Sequence, residues 1–375
     1  MKTTVRALSL AGVAVIAAAA LAAPASASAR SEAAHPVFVQ TDDPQGNTVV
    51  AYDRGRDGSL TQAGTYATGG LGGVLDGSVV DHLASQGSLT YDQRHGLLYA
   101  VNAGSDTVTV FAVHGDRLTR TQVVSSGGRF PASVTVHGDL VYVLNSLDGG
   151  SIQGYRRIGD RILRVPSWNR RLGLDPAATP QFTTTPGQVG FTPDGDHLVV
   201  TTKGNGHAIK VFAVGPLGPS AKPVTTTEDG TAPFAFTFDD GGRMVVTQAG
   251  PNAVATYTLG RTGTATQIQQ IATGQAATCW IVKTGPWLYA SNAGSGTLSG
   301  YRDTGRGTVN ALGTTATDAG TVDAAASSDG SYLYVQTGKD GNVNAFRVNS
   351  SDGSLTRVGT VTVPGAVGGE GIVAL

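Results

Sequence analysis

Seven times between Val37 and Val348 the chain returns to one pattern: an apolar run, a polar Gly/Asn loop, then a second run in which apolar and polar residues alternate. LYAVNAGSDTVTVF, from Leu98 to Phe111, and LYASNAGSGTLSGY, from Leu288 to Tyr301, are nearly the same phrase. The remaining copies begin at Val37, Val141, Leu198, Met244 and Leu333. Period-two alternation on both sides of a short Gly/Asn loop predicts two antiparallel strands joined by a hairpin. Every second strand ends on an aromatic: Tyr52, Phe111, Tyr155, Phe212, Tyr257, Tyr301 and Phe346, at intervals of 59, 44, 57, 45, 44 and 45 residues. A period near 45 is that of a four-stranded propeller blade.

Each blade then needs an inner strand before the pair and an outer strand after it. Six inner strands are legible: GSLTYD (87–92), PASVTV (131–136), QVGFTPDG (188–195), PFAFTFDDGG (233–242), TCWIVKTG (278–285) and VDAAASSDG (322–330). The seventh is GGEGIVAL, at 368–375. The expected fold is therefore all-β, a seven-bladed β-propeller over residues 30–375, in which the C-terminal inner strand completes the blade that the N-terminal segment begins. Such closure removes open sheet edges.

Composition agrees with many short strands, since the chain has 53 glycines and only 14% charged residues. Residues 1–29 read as a signal peptide: Lys2 and Arg6, an apolar run from Leu8 to Ala23, and Ala27-Ser28-Ala29 before the cut. Its removal takes away two basic and no acidic residues, bringing the formal net charge from −1 to −3. That charge offers no footprint for nucleic acid, and no apolar run is long enough for a membrane span. A secreted, extracellular monomer is expected. A single cysteine, Cys279, excludes an intrachain disulfide, and in a strand with Trp280 it reads as a packed core thiol.

Both long intervals arise from insertions before inner strands, at 69–86 and roughly 164–186. Both must decorate the face that also carries the hairpins between second and third strands, and repeat folds commonly place function on such a face. Alignment of the inner strands places Asp323 and Glu370 in adjacent blades at the channel mouth, where paired carboxyls can hold a cation or keep one member protonated. The candidate catalytic residues are Asp323, Glu370 and His82, the last beside Asp81. Arg129, Gln188, Lys203 and His207 are the candidate substrate-binding residues. The Asp42-Asp43 pair reads as turn chemistry. No cofactor requirement is evident, although a divalent cation such as Ca2+ fits the carboxyl pair. Only His82 and His207 map to the elaborated face, which disfavours a histidine metal site, and no GxSxG or HExxH motif is present.

With LLYAVNAGSDTVTVF, VGFTPDGDHLVVT, PFAFTFDDGG, TCWIVKTG and YLYVQTGKDGNVNAFRV, the chain resembles the lactonase-like seven-bladed propeller family of bacterial 6-phosphogluconolactonases and carboxymuconate cyclase-like proteins, closest to its secreted branch. The resemblance implies a lactone-opening hydrolase. Enzymatic relatives tend to carry His and Arg in the loops before inner strands, where this chain has Gln86, Ala132, Gly187 and Phe234, so a phosphorylated substrate is not expected. Two functions stay open: a secreted lactonase opening a non-phosphorylated lactone or related cyclic ester, and a non-catalytic extracellular propeller that binds a protein, glycan or small molecule.

Overall fold

In the computed structural model, residues 1–2 and 35–375 are described; the expected signal peptide lies outside them almost entirely. The described residues form seven small antiparallel sheets, numbered here as blades 1 to 7. Blades 2 to 7 each begin with their inner strand: Leu89–Asp92, Pro131–His137, Pro186–Phe191, Pro233–Phe238, Thr278–Thr284 and Thr321–Ala326. Blade 1 is composite. Its second strand, Val37–Gln40, pairs with the C-terminal Ile372–Ala374 in the register Val37↔Ala374, Phe38↔Val373 and Val39↔Ile372. Leu375 N also donates to Pro36 O at 2.9 Å and Gln40 N to Gly371 O at 2.8 Å, so the first and last strands of the propeller are tied into one sheet. Among the described residues, no helix is long and apolar enough to cross a membrane.

The recurrent aromatics explain how neighbouring sheets stay packed. In six blades a register shift in the outer strand pair falls directly before the aromatic, at Tyr52, Phe111, Tyr155, Tyr257, Tyr301 and Phe346. Such a bulge bends the strand and increases its twist, and all six rings are at most 2% exposed. Burial of each ring stabilises by about 2–3 kcal/mol. Blade 4 differs, pairing Ala208–Gly215 with two short pieces, Gly218–Pro219 and Val224–Thr227.

One boundary is corrected. The outer strand of blade 3 runs from Arg161 to Arg171, so the second insertion begins only at Leu172. Its single helical turn, Gln181–Thr184, belongs to the inserted segment rather than to a blade.

Candidate functional site

The two insertions meet above the central channel. Asp76 N donates to Gln181 Oε1 at 3.1 Å, and Phe182 N donates to Asp76 O at 3.0 Å. From there the 69–86 segment dips into the ring, and its apolar residues Leu75, Leu83 and Ala84 join the core at no more than 1% exposure. The channel mouth is thus plugged by the chain's own backbone. His82 N donates to Gly368 O at 2.7 Å and Gln86 N to Gly187 O at 3.0 Å, while Trp280 Nε1 donates to Ser85 O at 2.5 Å.

Beneath this plug lie the carboxyls of Asp42, Asp323 and Glu370, and the plug itself adds Asp81; all four are buried. Asp323 sits on the inner strand of blade 7 and accepts from Ala324 N at 2.9 Å, and the N–H groups of Gly371 and Ile372 also point to it. Glu370 precedes the closing strand, and its own N–H donates to Asp42 Oδ2 at 2.8 Å. Gly371, at φ +102°, permits this approach, because a Cβ there would stand 2.3 Å from Ser88 Oγ.

Ser85 makes contacts that favour a protonated Glu370. Its hydroxyl lies 2.8 Å from Ala132 O and also contacts Glu370 Oε1. A hydroxyl has one proton, and a carbonyl oxygen can only accept. Both contacts are satisfied when Ser85 donates to Ala132 and a protonated Glu370 donates to Ser85. Electrostatics agree, for burial and the neighbouring Asp81 and Asp42 carboxyls raise Glu370 well above its usual range.

Burial also lifts its companions. Asp42 and Asp323 are pushed up to about 7, and Asp81 to about 6, where hydrogen bonds from the segment Leu83–Ala84 and the charge of Lys203 partly offset the loss of water. Lys203 is the cation of the cluster. Its Nζ donates to Ala84 O at 2.6 Å and lies over the rings of Phe234 and Phe182, 5.2 and 5.8 Å from their centroids. Burial brings it down to about 8 despite the attraction of Asp81. These groups exchange protons near neutrality, which suits general acid–base work.

Asp323, Glu370, His82 and Lys203 therefore belong to one neighbourhood, as do Asp81 and Asp42. His82 is half-buried, its Nδ1 3.2 Å from Asp42 O, and burial lowers its proton affinity. The other candidates lie apart. Arg129 is 62% exposed and pairs with Asp148 at 3.5 Å. His207 Nδ1 accepts from Ala232 N at 3.2 Å in the blade 4 hairpin. Gln188 lines the channel below the plug.

Asp42 is more than a turn residue, contrary to expectation. It is fully buried at φ +51° and receives hydrogen bonds from Gln40 and Glu370. Its sequence neighbourhood, Asp-Asp-Pro, has a turn's composition, so only ring closure reveals its role. Ser85 was equally hidden, as a small residue in a Gly-rich insertion. Cys279 is half-buried against the core, and burial pushes its thiol up to about 12. Among the described residues, no group of three or more His, Cys, Asp or Glu side chains is arranged to hold a metal ion.

Comparison with known proteins follows this architecture. The sequence profile described as "Lactonase, 7-bladed beta-propeller" matches residues 89–368. The fold is similar to the periplasmic gluconolactonase of Pseudomonas aeruginosa, at 17% identity and a TM-score of 0.73 over 91% of this chain and 99% of that one. It is also similar to a candidate 6-phosphogluconolactonase from Bacteroides uniformis, at 18% identity and a TM-score of 0.74 over 92% of this chain and 100% of that one. A protein from Lactobacillus plantarum, at 19% identity and a TM-score of 0.74, covers 91% of this chain and 99% of its own. At such identities these likenesses show the fold alone. No curated protein matches the sequence.

Proposed function

Since the chain belongs to the family of seven-bladed β-propeller lactonases, we propose that it is an exported lactonase-like hydrolase opening a non-phosphorylated lactone or related cyclic ester. The observation that carries this reading is the buried group Asp42, Asp81, Asp323 and Glu370 around Lys203, in which carboxyls take up and release protons near neutrality. The 69–86 segment covers that group, so substrate reaches it when the part of the segment before Asp81 moves aside.

Ring opening adds water to the ester carbonyl and breaks the bond to the ring oxygen, giving a hydroxy acid and, near neutrality, one released proton. Asp323, in its ionised form, takes the proton of the attacking water. Lys203 stabilises the oxyanion that develops on the carbonyl oxygen, where a positive charge in a water-poor site acts strongly. Protonated Glu370 donates to the departing ring oxygen and is reprotonated by the proton that Asp323 took up, relayed through Asp81 beside it, while ionisation of the carboxylic acid product supplies the one proton released. His82, neutral through burial, holds the backbone of Asp42 in place.

The arrangement of the candidate cations supports a substrate without phosphate. Lys203 stands singly among the carboxyls, and Arg129 faces Asp148 out in solvent. A phosphoryl group is normally gripped by paired Arg or Lys donors.

A panel of neutral and carboxylated lactones, followed by proton release with calcium or with a chelator, tests the reading. Hydrolysis of at least one ring is expected, with kcat/KM falling about 100-fold or more in Asp323→Asn and in Glu370→Gln. Undiminished turnover of a good substrate by both variants refutes the assignment. Saturable binding without turnover across the panel points instead to an extracellular binding propeller, a role consistent with a plug held by backbone hydrogen bonds.

A further inference from the structure

Below the plug the channel holds a second space that the carboxyl chemistry does not use. It is a cavity of about 300 Å³ bounded by residues from the inner strands of blades 2, 3, 4 and 5 and by Gln86 and Gly87 of the plug. Its lining runs toward the strand ends that face away from the elaborated side. That volume is at the lower end of small-molecule sites.

Among the described residues, the lining contains no charged side chain. Its polarity comes from two amides and three threonine hydroxyls. Gln86 Oε1 accepts from Ile281 N at 2.9 Å, and Gln188 Oε1 accepts from Phe236 N at 2.7 Å. Those backbone donors fix the orientation of both amides, since only the oxygen can accept. Each amide nitrogen is thereby left without an acceptor among the described residues, on a half-buried side chain that lines the cavity.

The threonines add complementary groups. Thr90 donates to Val134 O at 2.8 Å, leaving oxygen lone pairs to accept. Thr135 Oγ1 accepts from Phe191 N at 3.3 Å, leaving its proton to donate. Beside them Phe236 and Phe238, with ring centroids 5.7 Å apart, supply an apolar wall. Fixed donors, available acceptors and an aromatic wall, with no formal charge, match a ring that carries hydroxyls on its edge and C–H groups on its faces.

We propose that this cavity is a binding site for an uncharged polyhydroxylated ring of monosaccharide size, approached from the face opposite the insertions. A carboxylate or phosphate is excluded, because burying an uncompensated anion costs far more than the two amides return.

The probes are D-glucose, which has no lactone to hydrolyse, and D-gluconate and glucose 6-phosphate as charged counterparts, titrated calorimetrically and by saturation-transfer NMR. Gln188→Glu keeps an acceptor for Phe236 N but replaces the amide donors with a charge, and Thr237→Phe fills the cavity; melting curves verify that both fold. Saturable glucose binding is expected, about 10-fold or more weaker in each folded variant, as loss of about one to two hydrogen bonds implies, and unchanged in Asp323→Asn. Absence of glucose binding by the wild-type protein, full affinity in either variant, or equal affinity for the anions overturns the proposal. Because glucose is inert to hydrolysis, these outcomes are separate from the fate of the lactonase reading.

Discussion

Replacing Asp323 with asparagine should abolish much of the loss of stability between pH 4 and pH 8, while lowering the activity of the protein. Burial moves this carboxyl from its ordinary 3.8 to about 7, so the folded protein binds the proton more tightly than the unfolded chain does. Stability from this group is complete below pH 4 and is lost as pH rises through 7. Full ionisation of Asp323 costs the folded state up to about 4 kcal/mol, at 1.36 kcal/mol per pH unit between the two values. Asp42, also raised to about 7, adds a slope of the same sign. Lys203 acts at the other end. Lowered to about 8 from 10.5, it restores stability as pH climbs from 8 to 10.5, because there the unfolded chain holds the proton and the folded one does not. Asp329, whose carboxyl is held down at about 2 by Ser327, Ser331 and Arg54 against the opposing effect of burial, exerts its opposite effect only below pH 4. Wild-type stability should therefore fall from pH 4 to pH 7. In D323N the amide oxygen can still accept from Ala324 N, whereas the amide nitrogen cannot accept from the N–H groups of Gly371 and Ile372; that loss is the same at every pH, so relative to the wild type the variant should gain about 1–4 kcal/mol between pH 4 and pH 8, or roughly 1–6 °C in Tm. Calorimetric melting from pH 4 to 10 measures both curves. A wild-type Tm that is flat or rising from pH 4 to 7, or equal pH dependence in the variant, refutes the reasoning.

Three further outcomes are expected. Gly338→Ala would set a Cβ 1.7 Å from Val80 O, displacing the 69–86 segment at a cost of about 1–3 kcal/mol; limited proteolysis should then cut within 69–86 faster than in the wild type, and an unchanged cleavage pattern contradicts the tight seating of the plug. Deleting residues 372–375 removes the register with Val37–Val39 and leaves an open edge, so aggregation or loss of the cooperative melt is predicted, and a wild-type Tm argues against ring closure as a main stabilising element. Cys279, with its thiol near 12, should react with Ellman's reagent at pH 8 at least about 100-fold more slowly than a free thiol, whose thiolate fraction there is much larger; comparable rates would show that the channel exposes it.

Local patterning carried most of the architecture. Alternation, hairpin loops and the spacing of Tyr52 to Phe346 report contacts within one blade, and such contacts depend on residues close in sequence. GGEGIVAL could be assigned to blade 1 because six inner strands for seven hairpins left one place vacant. The proximity of Asp323 and Glu370 was also within reach, since strand alignment puts residues of adjacent blades at one level, whereas His82 and Lys203 could be placed only on the same face.

What the tertiary structure alone decided is how far the insertions descend into the ring and what they cover. Nothing local in GGLGGVLDGSVVDHLASQ says that Leu83 and Ala84 descend into the ring, that Ser85 meets Glu370, or that Asp42 turns inward. Those contacts join residues up to 328 positions apart, as between Asp42 and Glu370, and they arise only once seven sheets enclose a space. Proton affinity is likewise a property of the enclosure: an aspartate's sequence neighbours do not fix how much water it loses, and that loss is what lifts Asp42 and Asp323 toward neutrality.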